Sequence, residues 1–196
     1  MASVRLVGRP ALIGADGTER RVRGFQTWAL LARLVLSDRP VFRRDLASEL
    51  FADASDPLAS LRWCLAELRK AFGSKVLFLG DPIVADLPPD TNVDLVELMA
   101  GRFDSNQAGE LLASIEPRCS AEFETWLFVQ RQRVASMIDE VMRREIMAAL
   151  AVGANERALA NAELLARRSP YDESAHVLLV KSLIAAGHHD AAVVHV

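Results

Sequence analysis

Basic side chains recur between residues 43 and 75, on stretches whose apolar spacing predicts helices. A guanidinium group can donate two parallel hydrogen bonds to a guanine or to a phosphate, so these residues indicate chemistry toward a polyanion. Arg62 and Arg69 are the best candidates for base or phosphate contacts. Arg43 and Arg44 suit phosphate contacts at the start of a helix, where free amides add donors. The candidate DNA-binding residues are Arg43, Arg44, Ser60, Arg62, Trp63, Arg69, Lys70 and Lys75.

Other features favour a plainer interpretation. Any one of these arginines, taken alone, is more often a solvated residue on an amphipathic helix. Trp63 is expected to pack beneath the next hairpin or against the C-terminal half rather than to meet DNA. Glu67 faces the same way as Lys70 and would repel phosphates, and Asp81 lies in the turn of a hairpin whose one cation is Lys75. A protein-interaction scaffold that has lost DNA binding is therefore the alternative.

The N-terminal third combines short strands with helices. Residues 4–8, 11–14 and 19–22 are short apolar or turn-bounded runs, and Asp16-Gly17 favours a tight hairpin turn, so a small antiparallel sheet is expected. Helices are then predicted from Gly24 to about residue 36, over 43–51, and from Pro57 to Gly73, with Ser55 or Asp56 as the cap of the third. The third helix has a clear apolar stripe of Leu58, Leu61, Leu65, Leu68 and Phe72.

A second hairpin is predicted after this helix, from strands at 76–79 and 83–85. A stiff break follows at 87–90, and Asp94 is expected to cap a short helix. A sheet, three helices and a hairpin make the order of a winged helix, an α+β fold whose third helix would enter the major groove. We therefore predict a DNA-binding domain at 1–90 and a helical domain at 91–196.

The rest of the chain is predicted to be helical. Helices are expected over 123–152, 155–168 and 172–186, with a fourth beginning at His189. A repeat of 34 residues aligns Gly153 with Gly187 and Ala158 with Ala192. This is the tetratricopeptide period, although the large aromatic residues of that consensus are absent, so an all-α tetratricopeptide-like domain is expected.

Charge and composition set limits on location and partners. The 196 residues carry a formal net charge of −3, but residues 1–80 carry +5 and the remainder −8, which suggests two modules and a polyanionic partner for the first. No apolar run approaches the roughly 18 residues of a membrane helix, and no secretory signal is evident, so a soluble, cytoplasmic protein without a membrane partner is expected. Cys64 and Cys119 are expected to be reduced thiols.

Enzyme chemistry has little support in the sequence. His176, His188, His189 and His195 are close in sequence, but no acidic or cysteine partner has ligand spacing, so no metal site is expected. No glycine-rich phosphate loop, nucleophile elbow or paired catalytic motif occurs. We expect a protein that is not an enzyme and that needs no cofactor.

Several segments resemble a known family. The runs VRLVGRPALIGADGTERRV, TWALLARLVL, FRRDLASELF and LRWCLAELRKAFG are similar to the OmpR-type winged helix of the SARP-type antibiotic regulatory activators. The runs FETWLFVQRQRV and YDESAHVLLVKSLIAAGHHDAA are similar to the bacterial transcriptional activator domain that follows it in those proteins. The resemblance covers nearly the whole chain in the same order.

The resemblance implies a function. Proteins of this family bind direct repeats in double-stranded promoter DNA and help recruit RNA polymerase, and their helical module supports dimerisation. A sequence-specific transcriptional activator that forms a homodimer, at least on DNA, is therefore expected. Two departures stand out: Glu67 replaces a basic residue usual in the family, and the chain ends at Val196 inside an apolar helix where the family continues. A fragment truncated at its C-terminal end is expected, with an unpaired helix face at Val193, Val194 and Val196.

Overall fold

The computed structural model describes residues 1–115 and 119–195. Within those ranges the chain forms four strands, eight α-helices and one 3-10 helix. The strands are β1 (Ala2–Arg5), β2 (Ala11–Ile13), β3 (Glu19–Arg20) and β4 (Thr91–Val93). The α-helices are α1 (Phe25–Val35), α2 (Arg43–Leu50), α3 (Pro57–Phe72), α4 (Asp94–Met99), α5 (Ala121–Ala151), α6 (Asn155–Arg168), α7 (Glu173–Ala185) and α8 (His189–Val194), and the 3-10 helix is Ser105–Gln107.

The chain divides into two compact units, Met1–Ala135 and Ser136–Val196, and the division falls within α5. This division by packing differs from the limit near residue 90 that the Pro-rich break suggested. The difference arises because β4, directly after that break, pairs with β1 and belongs to the N-terminal sheet. Whether 1–90 and 91–196 act as separate functional modules stays a prediction.

The N-terminal sheet has the strand order β3-β2-β1-β4. The pairs β1–β2 and β2–β3 are antiparallel, as the sequence predicts, and β4 adds a parallel edge that the sequence did not reveal. Val4 lies opposite both Leu12 and Val93, and all three side chains are buried. One face of this small sheet therefore contributes to the core of the first unit.

The carboxylate of Asp94 holds the chain where it leaves β1. Its Oδ2 accepts hydrogen bonds from the amides of Leu6 (2.8 Å) and Val7 (2.7 Å). The expected role as a helix cap is wrong, because Val93 occupies the cap position of α4 and Asp94 is its first helical residue. Burial raises the pKa of Asp94, and the backbone N–H donors around it act in the opposite direction.

The first three helices form where the spacing predicts them. Asp56 caps α3 by accepting from the amide of Ala59 at 2.8 Å, and Pro57 takes the first helical position. At the other end, Gly73 adopts φ 68°, and its amide donates to the carbonyl of Lys70.

The buried stripe of α3 differs from the expected one at its start. Leu61, Cys64, Leu65 and Leu68 are buried, whereas Leu58 is 44% exposed. Leu58 lies in the first turn of the helix, so the stripe begins one turn later than its spacing suggested. At the other end, the rings of Phe72 and Phe78 meet edge to face with centroids 6.1 Å apart.

The segment after α3 does not form the predicted hairpin. Leu77 and Phe78 are neighbours and both are buried, which a half-buried strand with alternating faces cannot achieve. Phe78 also has φ 55°, outside the extended region. The one bridge in this segment joins Ile83 to Val41, through N–O distances of 2.9 and 2.8 Å. Residues 74–85, hereafter the α3 loop, therefore form an irregular loop in place of a β-hairpin wing.

The second unit contains the end of α5 with α6, α7 and α8. Their buried residues are mainly aliphatic, and Ala158, Ala162 and Ala175 allow close helix packing. The Arg168 guanidinium and the Ser169 hydroxyl donate to the carboxylate of Asp139, at 3.1 and 2.7 Å. A second ion pair joins Arg143 to Asp172.

The starts of α6 and α8 follow the predicted repeat. Asn155 and His189 are 34 residues apart, and each follows a glycine with positive φ, Gly153 at 74° and Gly187 at 85°. In α8, Val193 and Val194 are 76% and 86% exposed. Val196, the last residue of the predicted unpaired face, lies outside the described residues.

We expect Asp94→Asn to lower the free energy of unfolding by about 1–3 kcal/mol, because a neutral amide oxygen is a weaker acceptor for the Leu6 and Val7 amides than a carboxylate oxygen. An NH2 group in place of Oδ1 also cannot accept from the amide of Leu95. Urea unfolding followed by circular dichroism measures this. Glu97→Gln is the matched control, since it removes a carboxylate of the same helix that pairs with exposed Arg102. An Asp94→Asn loss no larger than that of Glu97→Gln would show that the carboxylate does not hold β1.

Candidate nucleic-acid interface

Helices α2 and α3 form a packed pair that leaves one face of α3 in solvent. Leu46 and Leu50 of α2 are buried, as are Leu61 and Leu65 of α3. Residues 51–56 join the two helices. In a helix-turn-helix, the second helix enters the major groove and its N-terminal residues contact base edges. The first turns of α3 are therefore where the structure offers a reading surface.

Arg62 is the exposed cation of those turns. Its side chain is 62% exposed, and its Nη2 lies 3.7 Å from the carboxylate of Asp56. An ion pair at that distance between two solvated groups is weak, so Arg62 can leave Asp56 for a stronger acceptor. Ser60 lies one turn from the helix start, and its hydroxyl donates to the carbonyl of Asp56 at 3.1 Å.

Trp63 is next to Arg62, but its ring is partly used by the protein. A Cβ added to Gly24 would lie 3.1 Å from the indole ring, so the ring rests against the backbone before α1. Whether Trp63 also packs beneath the α3 loop or against the C-terminal half, as the sequence suggests, stays a prediction. The indole remains 49% exposed.

Arg69 is directed to the α3 loop. Its Nε donates to the carbonyl of Leu77 at 2.8 Å, and its Nη2 donates to the carbonyl of Phe78 at 3.0 Å. The partly buried guanidinium of Arg69 thus joins the end of α3 to the start of the loop that follows it. In this arrangement Arg69 positions the loop, and its donors are not presented to a groove.

Lys70 and Lys75 are exposed, and neither makes an ion pair within residues 1–115 and 119–195. Lys70 lies on the last turn of α3 and lines a cavity against the N-terminal sheet, away from the first turns of the helix. Lys75 lies at the start of the α3 loop. The structure therefore separates these two lysines from Arg62 rather than gathering them around it.

Arg43 is the second residue that holds the α3 loop. Its Nε donates to the carbonyl of Gly80 at 2.7 Å, and its backbone amide donates to the carboxylate of Asp81 at 2.9 Å. The amide of Asp45 donates to the carbonyl of Phe42. These amides at the start of α2, which the sequence suggested as free donors for phosphate, are thus already paired.

Arg44 is the most solvated arginine of α2. Its side chain is 84% exposed, with Nε 3.3 Å from Asp45 and the guanidinium carbon 5.9 Å from the centre of the Phe42 ring. Both contacts are surface contacts of small energy. Arg44 is consequently available for a phosphate.

Sequence reasoning missed Arg33, which places α2. Its guanidinium makes two hydrogen bonds to the carboxylate of Glu49 in α2, at 2.8 and 3.2 Å, and a third to the Ser37 hydroxyl. It also lies 5.1 Å from the centre of the Trp126 ring in the first part of α5. The sequence does contain a sign of this role. Arg33 is the one charged residue of the apolar helix α1, and a charge in such a helix indicates a polar partner nearby.

The remaining chemistry-bearing residues do not gather into a site. Within residues 1–115 and 119–195, no group of three or more His, Cys, Asp or Glu side chains could hold a metal ion. His176 lies 3.0 Å from the carbonyl of Pro170. Both cysteines are free thiols, and burial raises the pKa of Cys64 and raises that of Cys119 to about 12. In the described part of the chain, no helix is long and apolar enough to span a membrane.

Comparison with known proteins bears on both halves of the chain. Residues 106–195 match the family model of the bacterial transcriptional activator domain. The solved structure of EmbR from Mycobacterium tuberculosis, in complex with a low affinity phosphopeptide, has a similar fold, with a TM-score of 0.66 at 20% sequence identity. The similarity covers 99% of this chain and 57% of the EmbR chain, so the chain spans little more than half the length of that structure. No curated protein matches this sequence.

These findings confirm part of the sequence interpretation. The expected similarity to the bacterial transcriptional activator domain is confirmed by the match of residues 106–195, which are helical apart from their first segment. The expected domain limits of 91–196 stay a prediction. The N-terminal part is confirmed as a small sheet with helices, a fold similar to that of EmbR. The candidate DNA-binding residues all precede residue 106 and lie outside the family match.

We expect Arg69→Ala to lower the free energy of unfolding by about 1.5–3 kcal/mol, because the carbonyls of Leu77 and Phe78 lose a charged donor. Amide exchange at Ile83 should also become faster, since the α3 loop loses one of its anchors. Lys70→Ala, which removes the adjacent cation, should leave both measurements near those of the parent protein. Parent-like exchange in Arg69→Ala would contradict the anchoring role.

Proposed function

We propose that the protein is a DNA-binding transcriptional regulator of the SARP type that activates promoters by binding direct repeats. The observation that carries this proposal is the match of residues 106–195 to the bacterial transcriptional activator domain, preceded in the chain by a helix pair on which Arg44 and Arg62 are exposed. The similarity in fold to EmbR over nearly the whole chain supports the same conclusion.

In this proposal α3 is the recognition helix and reads DNA with its first turns. Arg62 supplies a bidentate donor for a guanine, and Ser60 and the exposed part of Trp63 flank it. In the absence of DNA, Arg62 pairs weakly with the carboxylate of Asp56, at 3.7 Å. When α3 enters the groove, Arg62 leaves the carboxylate of Asp56 and donates to a base edge.

Phosphate contacts in this proposal come from α2 and from the start of the α3 loop. Arg44 is the principal contact, because its guanidinium is mostly exposed. Lys75 is exposed and unpaired among the described residues, so it can reach a neighbouring phosphate. Arg43, Arg69 and Lys70 are assigned to positioning or to other surfaces, since the structure directs them to the loop or to the sheet.

The helical half is assigned to protein contacts, with RNA polymerase and with a second copy of the chain on DNA. Residues 81–196 carry a net charge of −8, which suits a protein partner better than DNA. Its solvent-facing apolar side chains include Val177 and Ile184 on α7, which are 45% and 51% exposed.

The second candidate function is a protein-interaction scaffold, and the α3 loop favours it. Val76, Leu79 and Val84 are 68%, 54% and 52% exposed, and the loop carries Asp81 near them. A largely apolar loop without net charge in the place of a wing would suit a protein surface better than a phosphate backbone. DNA-binding measurements on the helix pair separate the two candidates.

We expect Arg62→Ala to weaken binding to a preferred site by about 1–3 kcal/mol and to reduce the difference between preferred and unrelated DNA. Fluorescence anisotropy measures both effects when binding to DNA from upstream of the protein's own gene is compared with binding to a scrambled duplex. Asp56→Asn is an informative partner variant, because asparagine still caps α3 while the carboxylate next to Arg62 is removed. It should increase affinity for both duplexes at low salt.

We expect Arg44→Ala to weaken binding to both duplexes equally and to reduce the slope of log affinity against log salt by about 0.9, the value of one phosphate contact. A base contact would change specificity instead, which distinguishes this variant from Arg62→Ala. If Arg44→Ala, Arg62→Ala and Asp56→Asn all bind both duplexes like the parent protein, the scaffold takes the place of the DNA-binding proposal.

A further inference from the structure

A cavity of about 600 Å³ lies in the first unit, between the N-terminal sheet and the last turn of α3. Its walls come from Met1, the strands β1, β2 and β3, residues 14–15, the end of α3 and residues 88–91. Small-molecule sites commonly have volumes of about 300–1,000 Å³. The cavity is thus large enough for a compact ligand, and it lies apart from the exposed first turns of α3.

Most of the cavity wall is apolar. Leu12, Phe72 and Pro88 line it, together with the small side chain of Ala71. A ligand that covers these groups removes apolar surface from water, which is the main source of affinity in such sites. The body of a ligand for this cavity is therefore an aromatic ring system or an aliphatic chain.

Arg20 provides a fixed cation at this wall. Its Nη2 lies 2.7 Å from the carboxylate of Asp16, and Asp16 is itself held by the hydroxyl of Thr18 at 2.7 Å. A Cβ added to Gly14 would lie 2.7 Å from the Nε of Arg20, so the guanidinium rests directly on the glycine backbone. A guanidinium held in this way loses little side-chain entropy when it binds an anion.

Lys70 brings a second cation into the same cavity from a different element. Its ammonium makes no ion pair among the described residues, although the α3 turn that carries it is fixed by the Gly73 cap. Asp90 also lines the cavity and opposes a second negative charge on the ligand. The carbonyl end of α3 carries a partial negative charge, so it also opposes additional negative charge on the ligand. Ligands rich in phosphate are therefore disfavoured.

We propose that this cavity binds an apolar small molecule that carries a single acidic group, with Arg20 and Lys70 as the partners of that group. The apolar walls select the body of the ligand. Because the carboxylates of Asp16 and Asp90 lie beside the two cations, they disfavour a second acidic group on the ligand. The proposal does not depend on DNA binding, because none of the residues assigned to DNA contact lines the cavity.

The test uses the full chain and the fluorescent monoanion 8-anilinonaphthalene-1-sulfonate as the probe. We expect saturable binding with one site per chain. Arg20→Ala and Lys70→Ala should each weaken binding about tenfold, the effect of losing one charge-assisted hydrogen bond. Arg21→Ala is the matched control, because it removes the exposed cation next to Arg20 in sequence and should bind the probe like the parent protein.

Two further variants separate the cavity from a general effect of charge. Gly14→Ala keeps every charge but displaces the Arg20 guanidinium, and it should weaken binding. Ala15→Trp places a large side chain at the cavity from an exposed turn, and it should block binding without disturbing the core. Circular dichroism and urea unfolding confirm that each variant is folded before binding is compared.

Competition tests the chemistry of the ligand. Decanoate should displace the probe, and decanol and decanedioate should each do so about tenfold less well, because one lacks the acidic group and the other carries two. Probe binding that is not saturable, or that Arg20→Ala, Lys70→Ala and Ala15→Trp leave unchanged, overturns the proposal. Such a result would place the probe on exposed apolar residues such as Phe25 instead.

Discussion

The contact of Arg33 with Glu49 and Trp126 determines where the candidate DNA-binding helices lie. Arg33 is the charged residue of α1, and its hydrogen bonds to Glu49 fix α2 against it. The backbone carbonyl of Glu49 in turn accepts from the amide of Ser120, just before α5. These side chains are mostly shielded from water, so their hydrogen bonds are stronger and more costly to break than those of surface pairs. Helix α3 in turn packs on both α1 and α2 through buried apolar side chains, which include Leu61 and Leu65.

The basic residues of the first unit divide between two tasks. Arg43 and Arg69 donate to backbone carbonyls of the α3 loop, which lacks strand pairing of its own apart from the bridge between Val41 and Ile83. A loop of this kind leaves carbonyl groups without partners, and guanidinium groups satisfy them. Arg44 and Arg62 keep their donors in solvent. Cations of the same type, on adjacent helices, thus either stabilise the fold or remain available for a ligand.

The sequence predicts local structure well and long-range pairing poorly. The bounds of α1, α2, α3 and α6 follow from apolar spacing and capping residues, which are local signals. The hairpin prediction is wrong because the burial of Phe78 depends on Phe72 and Arg69, which no local pattern reveals. In the candidate site, residue types pointed to α2 and α3, and the assignment of DNA contacts to these helices stays a prediction. Their exposure could not be predicted, because it depends on which carbonyls and carboxylates the fold brings near.

The small number of available cations bears on how the proposed regulator would bind DNA. Each phosphate contact adds a limited electrostatic contribution, and Arg44, Arg62 and Lys75 provide few such contacts in one chain. One helix pair with so few contacts would bind weakly at physiological salt. Two chains on adjacent repeats would instead bind with the combined affinity of both, because the second contact becomes intramolecular. The helical half would then increase DNA affinity without touching DNA, because it would hold together two helix pairs that each bind DNA weakly.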